Sequence, residues 1–198
     1  MKKKHIQMGL LVLVFLVPPL LSYVLFFSGY RPDSSVNHGE LVTPARPVEK
    51  DTGMRSIDGD PFRFAGPPPK WTLFYLGGRQ CDAACGDGLY KIQQVRLTQG
   101  REMGRVRSVT VLPADVPREE IEKVKADFPG VVVVLATEET YAGLTDQFQK
   151  GEAATLQGIG RVYIVDPIGN VMMSYPPEAD PTGMKTDLKR LLKVSKLG

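Results

Sequence analysis

Cysteine, histidine and net charge are all scarce in this chain. Its 198 residues include two Cys and two His, with 25 Lys and Arg set against 22 Asp and Glu. Two cysteines are too few to staple an exported domain of this size, so a disulfide scaffold is excluded and a local redox or metal role comes into question. No histidine follows His38. H-E-x-x-H, G-x-S-x-G and P-loop patterns are also absent, which removes the main support for zinc protease, serine hydrolase and nucleotide-dependent readings.

The formal charge of +3 has a local source: Lys2, Lys3 and Lys4 supply three of the 25 basic residues, and every acid lies beyond residue 30. The remainder balances. A neutral body without a basic block argues against nucleic-acid binding, which rests on phosphate neutralisation by clustered Lys and Arg.

Beyond the lysines, Ile6–Phe27 carries no charge, and only Gln7 and Ser22 are clearly polar. A run of ~20 apolar residues suffices to span a bilayer. A cleavable signal has a shorter apolar region, roughly 7–15 residues, closed by small residues. Here the run closes on Tyr23, Val24, Leu25, Phe26 and Phe27. The expectation is an uncleaved anchor over 6–28, kinked at Pro18 and Pro19, with a long signal peptide removed on export as the competing reading. The lysines ahead of it and the balanced Arg31 and Asp33 after it place residues 1–5 in the cytoplasm by the positive-inside rule. In a bacterium this puts the protein in the inner membrane with its body in the periplasm.

Residues 29–56, broken by Pro32, Pro44, Pro47 and several Gly, Ser and Asn, read as a linker. The folded domain is expected over 57–198. Strand signals occur at Pro61–Phe64, Trp71–Leu76, Val106–Leu112, Val131–Leu135, Arg161–Val165 and Val171–Tyr175. Helices are expected from the cysteine pair to about Leu97, from Pro117 to about Phe128, over about Thr140–Gln149, and over about Pro181–Lys196. Alternating strands and helices followed by a hairpin and a closing helix predict an α/β fold with a central mixed sheet covered on both faces. A thioredoxin-like domain has this order, with cysteines after the first central strand.

Cys81 and Cys85 begin a helical pattern in which Cys85, Leu89 and Ile92 share a face, so Cys85 points with the core stripe. Two cysteines one turn apart, ~6 Å along the axis, suit a disulfide or two thiolates on one soft metal. The helix N-terminus and Arg79 both favour a thiolate. Gly86 and Gly88 weaken the first turns and allow rearrangement between bonded and open forms. The plainer alternative is a structural disulfide with a core-facing Cys85.

The anchor, the linker, the strand Trp71–Leu76, Cys81-x-x-x-Cys85, Pro113-x-Asp115-x-Pro117 and Val162-Tyr163-Ile164-Val165-Asp166-Pro167-x-Gly169 together resemble the Sco/SenC family of cytochrome c oxidase assembly proteins. The resemblance covers roughly residues 40–195. Asn37-His38-Gly39-Glu40-Leu41 and Asp166-Pro167-x-Gly169-Asn170-x-Met172-Met173 are similar to a divergent, membrane-anchored branch associated with the oxidase. The resemblance implies a thioredoxin fold, with Cys81 and Cys85 matching the family's copper-binding and redox cysteines and an oxidase subunit or assembly factor as partner. The family completes its copper site with a histidine before the last strand pair, and this chain has Gly158 at the matching position. Gly86 replaces the proline that often follows the pair. Two thiolates still suit Cu(I) but serve Cu(II) poorly.

Candidates for a third ligand read blandly. His38 lies in the linker and is not preorganised. Met172 and Met173 are adjacent on one strand, so one faces the core and the other faces away. Weighed as catalytic carboxylates instead, Asp115, Glu119 and Glu120 fall where a helix N-terminus favours acids. Three functions therefore stand: thiol–disulfide exchange on, or Cu(I) delivery to, an oxidase copper site, with Cys81 attacking and Cys85 resolving; a scaffold stapled by Cys81–Cys85; or a general thiol–disulfide oxidoreductase.

Overall fold

The computed structural model describes residues 2–28, 36–48, 51, 53–150 and 160–195. The chain divides into two compact units, Met1–Val36 and Asn37–Gly198. The first contains one helix, α1 (Lys2–Phe27), which runs unbroken through Pro18 and Pro19. Its His5–Phe27 stretch contains an 18-residue window of mean hydropathy 2.6 and is long and apolar enough to cross a membrane.

The second unit is built on a seven-stranded mixed sheet. In chain order the strands are β1 (Glu40–Pro47), β2 (Met54–Ser56), β3 (Trp71–Leu76), β4 (Val106–Pro113), β5 (Val131–Ala136), β6 (Val162–Val165) and β7 (Asn170–Tyr175). In space they lie β1-β7-β6-β3-β4-β5-β2. The centre, β3, β4 and β5, is parallel, and the remaining pairs are antiparallel. The helices are α2 (Ala83–Leu97), α3 (Arg118–Asp127), α4 (Glu138–Thr145) and α5 (Pro181–Val194).

Every residue of β3 is buried because the strand lies between β4 and β6 with both sheet faces covered. Leu73 and Tyr75 join Leu89 and Ile92 of α2 and Met184 and Leu188 of α5 on one face. Phe74 and Leu76 join Leu144 of α4 and Phe148 on the other. There Phe62, Phe64, Phe74 and Phe148 form a chain of edge-on rings at centroid spacings of 5.1–5.4 Å. Side chains alternate across the pleat, and this alternation divides the two cores.

Three expectations need correction. Residues 29–56 are not linker throughout: Glu40–Pro47 and Met54–Ser56 are the two edge strands of the sheet. Edge strands tolerate proline, and β1 buries only Val42, so neither composition nor alternation marks it. Pro61–Phe64 makes only an isolated bridge from Pro61 to Arg55, while Phe62 and Phe64 pack into the core. Met172 and Met173 do not face opposite sides. The ladder pairs Val165 with Val171 and Ile164 with Met173, leaving Met172 as an extra residue in a bulge. Both methionines consequently pack with the α2 and α5 core, while Val171 belongs to the other.

Candidate redox site

β3 delivers the chain to the site through Gly77. Its N–H donates to the Val111 carbonyl at 3.0 Å, and its carbonyl accepts from the Tyr141 hydroxyl at 2.6 Å. A Cβ at this position would stand 2.5 Å from Leu112 Cδ2, so a larger residue would have to displace the end of that side chain. Four residues later Cys81 is bonded to Cys85, with Cα atoms 5.1 Å apart.

The two cysteines do not share the first helical turn. Asp82 caps α2 between them, its side chain accepting from the Cys85 N–H at 2.9 Å. Cys81 therefore precedes the helix and is half-buried, whereas Cys85 is 4 % exposed in the core beside Leu89 and Ile92. The inward direction expected for Cys85 is observed. Cys81 is the more exposed residue of the pair.

The surroundings differ from the expected electropositive setting. The Arg79 guanidinium pairs with Asp115 at 2.9 Å, both side chains being largely exposed. Its charge is shared with a carboxylate before it reaches the cysteines. Glu120, expected only as a helix-opening acid, accepts a hydrogen bond from the Cys81 backbone N–H at 3.2 Å. β3 and β4 are parallel neighbours, so the segments leaving their C-terminal ends meet above the sheet and bring residues 39 apart into contact. Glu119 stays exposed.

Below the pair, Tyr75 has its phenol pushed up to about 12 by burial, with Asp82, Tyr141 and Asp87 acting in the same direction. A Cβ on Gly88 would meet the Tyr75 ring at 2.5 Å. Gly88 therefore permits close helix–strand packing. At Gly86 a Cβ would lie 3.9 Å from Phe128, an ordinary contact.

The remaining candidates lie elsewhere. His38 is held, contrary to expectation: its Nδ1 lies 3.2 Å from Asp187 Oδ1, and its backbone N–H donates to Asp187 Oδ2 at 2.8 Å. It sits at the β1 edge. Three strand spacings, roughly 14 Å, separate that edge from β3. Met173 lies level with Ile164 and Leu73, deep in the sheet and away from the cysteine end. Gly158 lies outside the described residues. Among the described residues no group of three or more His, Cys, Asp or Glu is arranged to hold a metal ion. Once reduced, Cys81 and Cys85 would supply two soft thiolate donors.

The model for transmembrane-like, thioredoxin-like C-terminal domains matches residues 71–195. The chain belongs to that family. Within this thioredoxin-like family member, the matched region runs from β3 to the end of α5 and includes both cysteines. The solved apo Sco1 of Thermus thermophilus is 20% identical, covering 81% of this chain and 99% of that one at a TM-score of 0.59. Copper-bound yeast Sco1 is 15% identical, covering 82% and 96% at 0.59. The thioredoxin domain of a thiol-disulfide oxidoreductase from Bacteroides vulgatus is 13% identical, covering 80% and 99% at 0.55. At these identities the likeness is one of fold. No curated protein matches the chain by sequence.

Proposed function

We propose that this chain is a membrane-tethered, Sco-like thiol–disulfide protein that serves a copper site of cytochrome c oxidase through Cys81 and Cys85. Residues 6–28 anchor it in the inner membrane, residues 1–5 stay cytoplasmic, and the domain beginning near Asn37 works in the periplasm. The observation that carries the reading is the asymmetry of the pair: a half-buried Cys81 ahead of the α2 cap and a core-buried Cys85 within the helix. Exchange begins at the sulfur that can be reached and ends at the one held beside it.

In the reducing direction the Cys81 thiolate attacks a client disulfide, forming a mixed disulfide and releasing one client thiolate. Cys85, as thiolate, then attacks the Cys81 sulfur and releases the second. The client gains two electrons and the Cys81–Cys85 disulfide forms. Cu(I) is the second cargo the same two thiolates suit, since it accepts low coordination and soft donors. Copper-bound Sco structures of the same fold support that reading.

Trapping tests the proposal. Cys85→Ser leaves Cys81 without its resolving partner, so a mixed disulfide with an oxidase subunit is expected to accumulate in membranes. It should vanish in the Cys81→Ser/Cys85→Ser double variant. Absence of the adduct, with oxidase copper content unchanged in the double variant, would reduce the pair to a staple on a scaffold.

A further inference from the structure

The segment carrying Cys81 is fastened to the loop after β4 and to the first turn of α3. Arg79 pairs with Asp115 at 2.9 Å, and Glu120 accepts the Cys81 N–H at 3.2 Å. The two fastenings differ in strength. The Arg79 and Asp115 side chains are 64 % and 62 % exposed, and exposed ion pairs contribute little. Glu120 is half-buried at the opening of α3, next to Ile121, which packs against the core that also receives Cys81. A hydrogen bond from a backbone amide to a carboxylate is among the stronger kinds, and α3 holds this acceptor in a fixed place.

Cys85 has its own restraint: Asp82 caps its N–H, and its helix is packed on β3. Cys81 lies outside that helix. When the disulfide opens, the part-buried bond from its amide to Glu120 is, among the described residues, the one side-chain hydrogen bond to the Cys81 backbone, and it acts beside the covalent link to the capping Asp82. We infer that Glu120 is a positioning residue for the redox pair, acting through the Cys81 backbone to keep the open sulfurs close. This rests on the exchange reading proposed above and assigns Glu120 no contact with a client.

Holding the reduced segment in place lowers the entropy lost when the disulfide forms, so it raises the effective molarity of the two thiols. The equilibrium that reads this is protein dithiol plus oxidised glutathione giving protein disulfide plus two reduced glutathione. Measured on the full chain in detergent, Glu120→Ala is expected to lower that constant about fivefold. This moves the pair's potential about 20 mV more positive, at 29.6 mV per tenfold for a two-electron couple. Glu120→Gln keeps an oxygen acceptor and should stay within about twofold of wild type. Asp115→Asn should also stay within about twofold, because the exposed pair restrains little.

A thermal melt of each oxidised variant separates lost folding from lost positioning. An unshifted potential in Glu120→Ala would overturn the inference. So would a Glu120→Gln shift as large as that of alanine, which would make charge, not the hydrogen bond, the agent. Neither outcome touches the trapping result with Cys85→Ser, so failure here is distinguishable from failure of the exchange reading.

Discussion

Asp187 offers the sharpest test of how the domain is closed. It lies on α5 with its side chain 1 % exposed, far more buried than a carboxylate usually is. One oxygen accepts from the backbone N–H groups of His38 at 2.8 Å and Gly39 at 3.0 Å and from the Tyr175 hydroxyl at 3.1 Å; the other meets His38 Nδ1 at 3.2 Å. Replacement by alanine strands these donors. Each stranded buried donor costs about 1–3 kcal/mol, offset in part because His38 is half exposed and water can reach it, and because a costly buried charge disappears. The net expectation is a loss of about 3–4 kcal/mol. The loss should fall first on β1, an edge strand paired on one side only and pinned at its start by this carboxylate. Amide exchange at Gly39 and Leu41 is therefore expected to accelerate about 10²- to 10³-fold, at 1.4 kcal/mol per tenfold, before β3 and β4 respond. A urea titration of the full chain in detergent gives the global part of the loss. If β1 exchange changes less than tenfold and the urea midpoint holds, the clasp contributes nothing and the reasoning fails.

Alkaline pH should destabilise the domain. The Tyr75 phenol is pushed up to about 12, and burial also raises Tyr163 and Tyr175 well above the ordinary phenol range. Their contribution is fully present below about pH 10, where an unfolded tyrosine titrates, and is lost as pH rises through the folded values. The urea midpoint is expected to fall from about pH 10 upward, less steeply in Tyr75→Phe; a flat midpoint to pH 12 would refute this. The reduced full chain, titrated anaerobically in detergent, should take up at most one Cu(I) at Cys81 and Cys85 and form no stable Cu(II) complex. A tight Cu(II) complex would mean that a nitrogen donor completes the site.

Elements whose partners lie nearby, or whose apolar pattern is strong, were legible in the chain. Trp71–Leu76 is an almost wholly apolar run because both faces of the sheet are covered there, and Val131–Ala136 is a continuous apolar run although Val132 is exposed; such runs carry their own signal. Cys85, Leu89 and Ile92 at helical spacing gave the burial of Cys85 in advance. β1 was not legible: its one buried residue, Val42, is followed by Pro44 and Pro47, and its partner β7 lies more than 100 residues away. The bulge at Met172 was hidden for the same reason, since it exists only as a mismatch between two strands. Glu120 looks like any acid at a helix start, and only the adjacency of β3 and β4 brings it to Cys81.

By itself, the sequence determined the lysine cluster and apolar length of the N-terminal helix, the alternating α/β order, and the spacing of its only two cysteines. These are local properties, fixed by composition and by periods of two and 3.6 residues. The tertiary structure decided which cysteine is the more exposed, which carboxylate its backbone N–H meets, and that His38 belongs to a clasp on Asp187 remote from the pair. Those outcomes depend on strand order and on which loops leave the same end of the sheet. Contacts between residues 39 or 149 positions apart are set by the folded topology, and no local pattern encodes them.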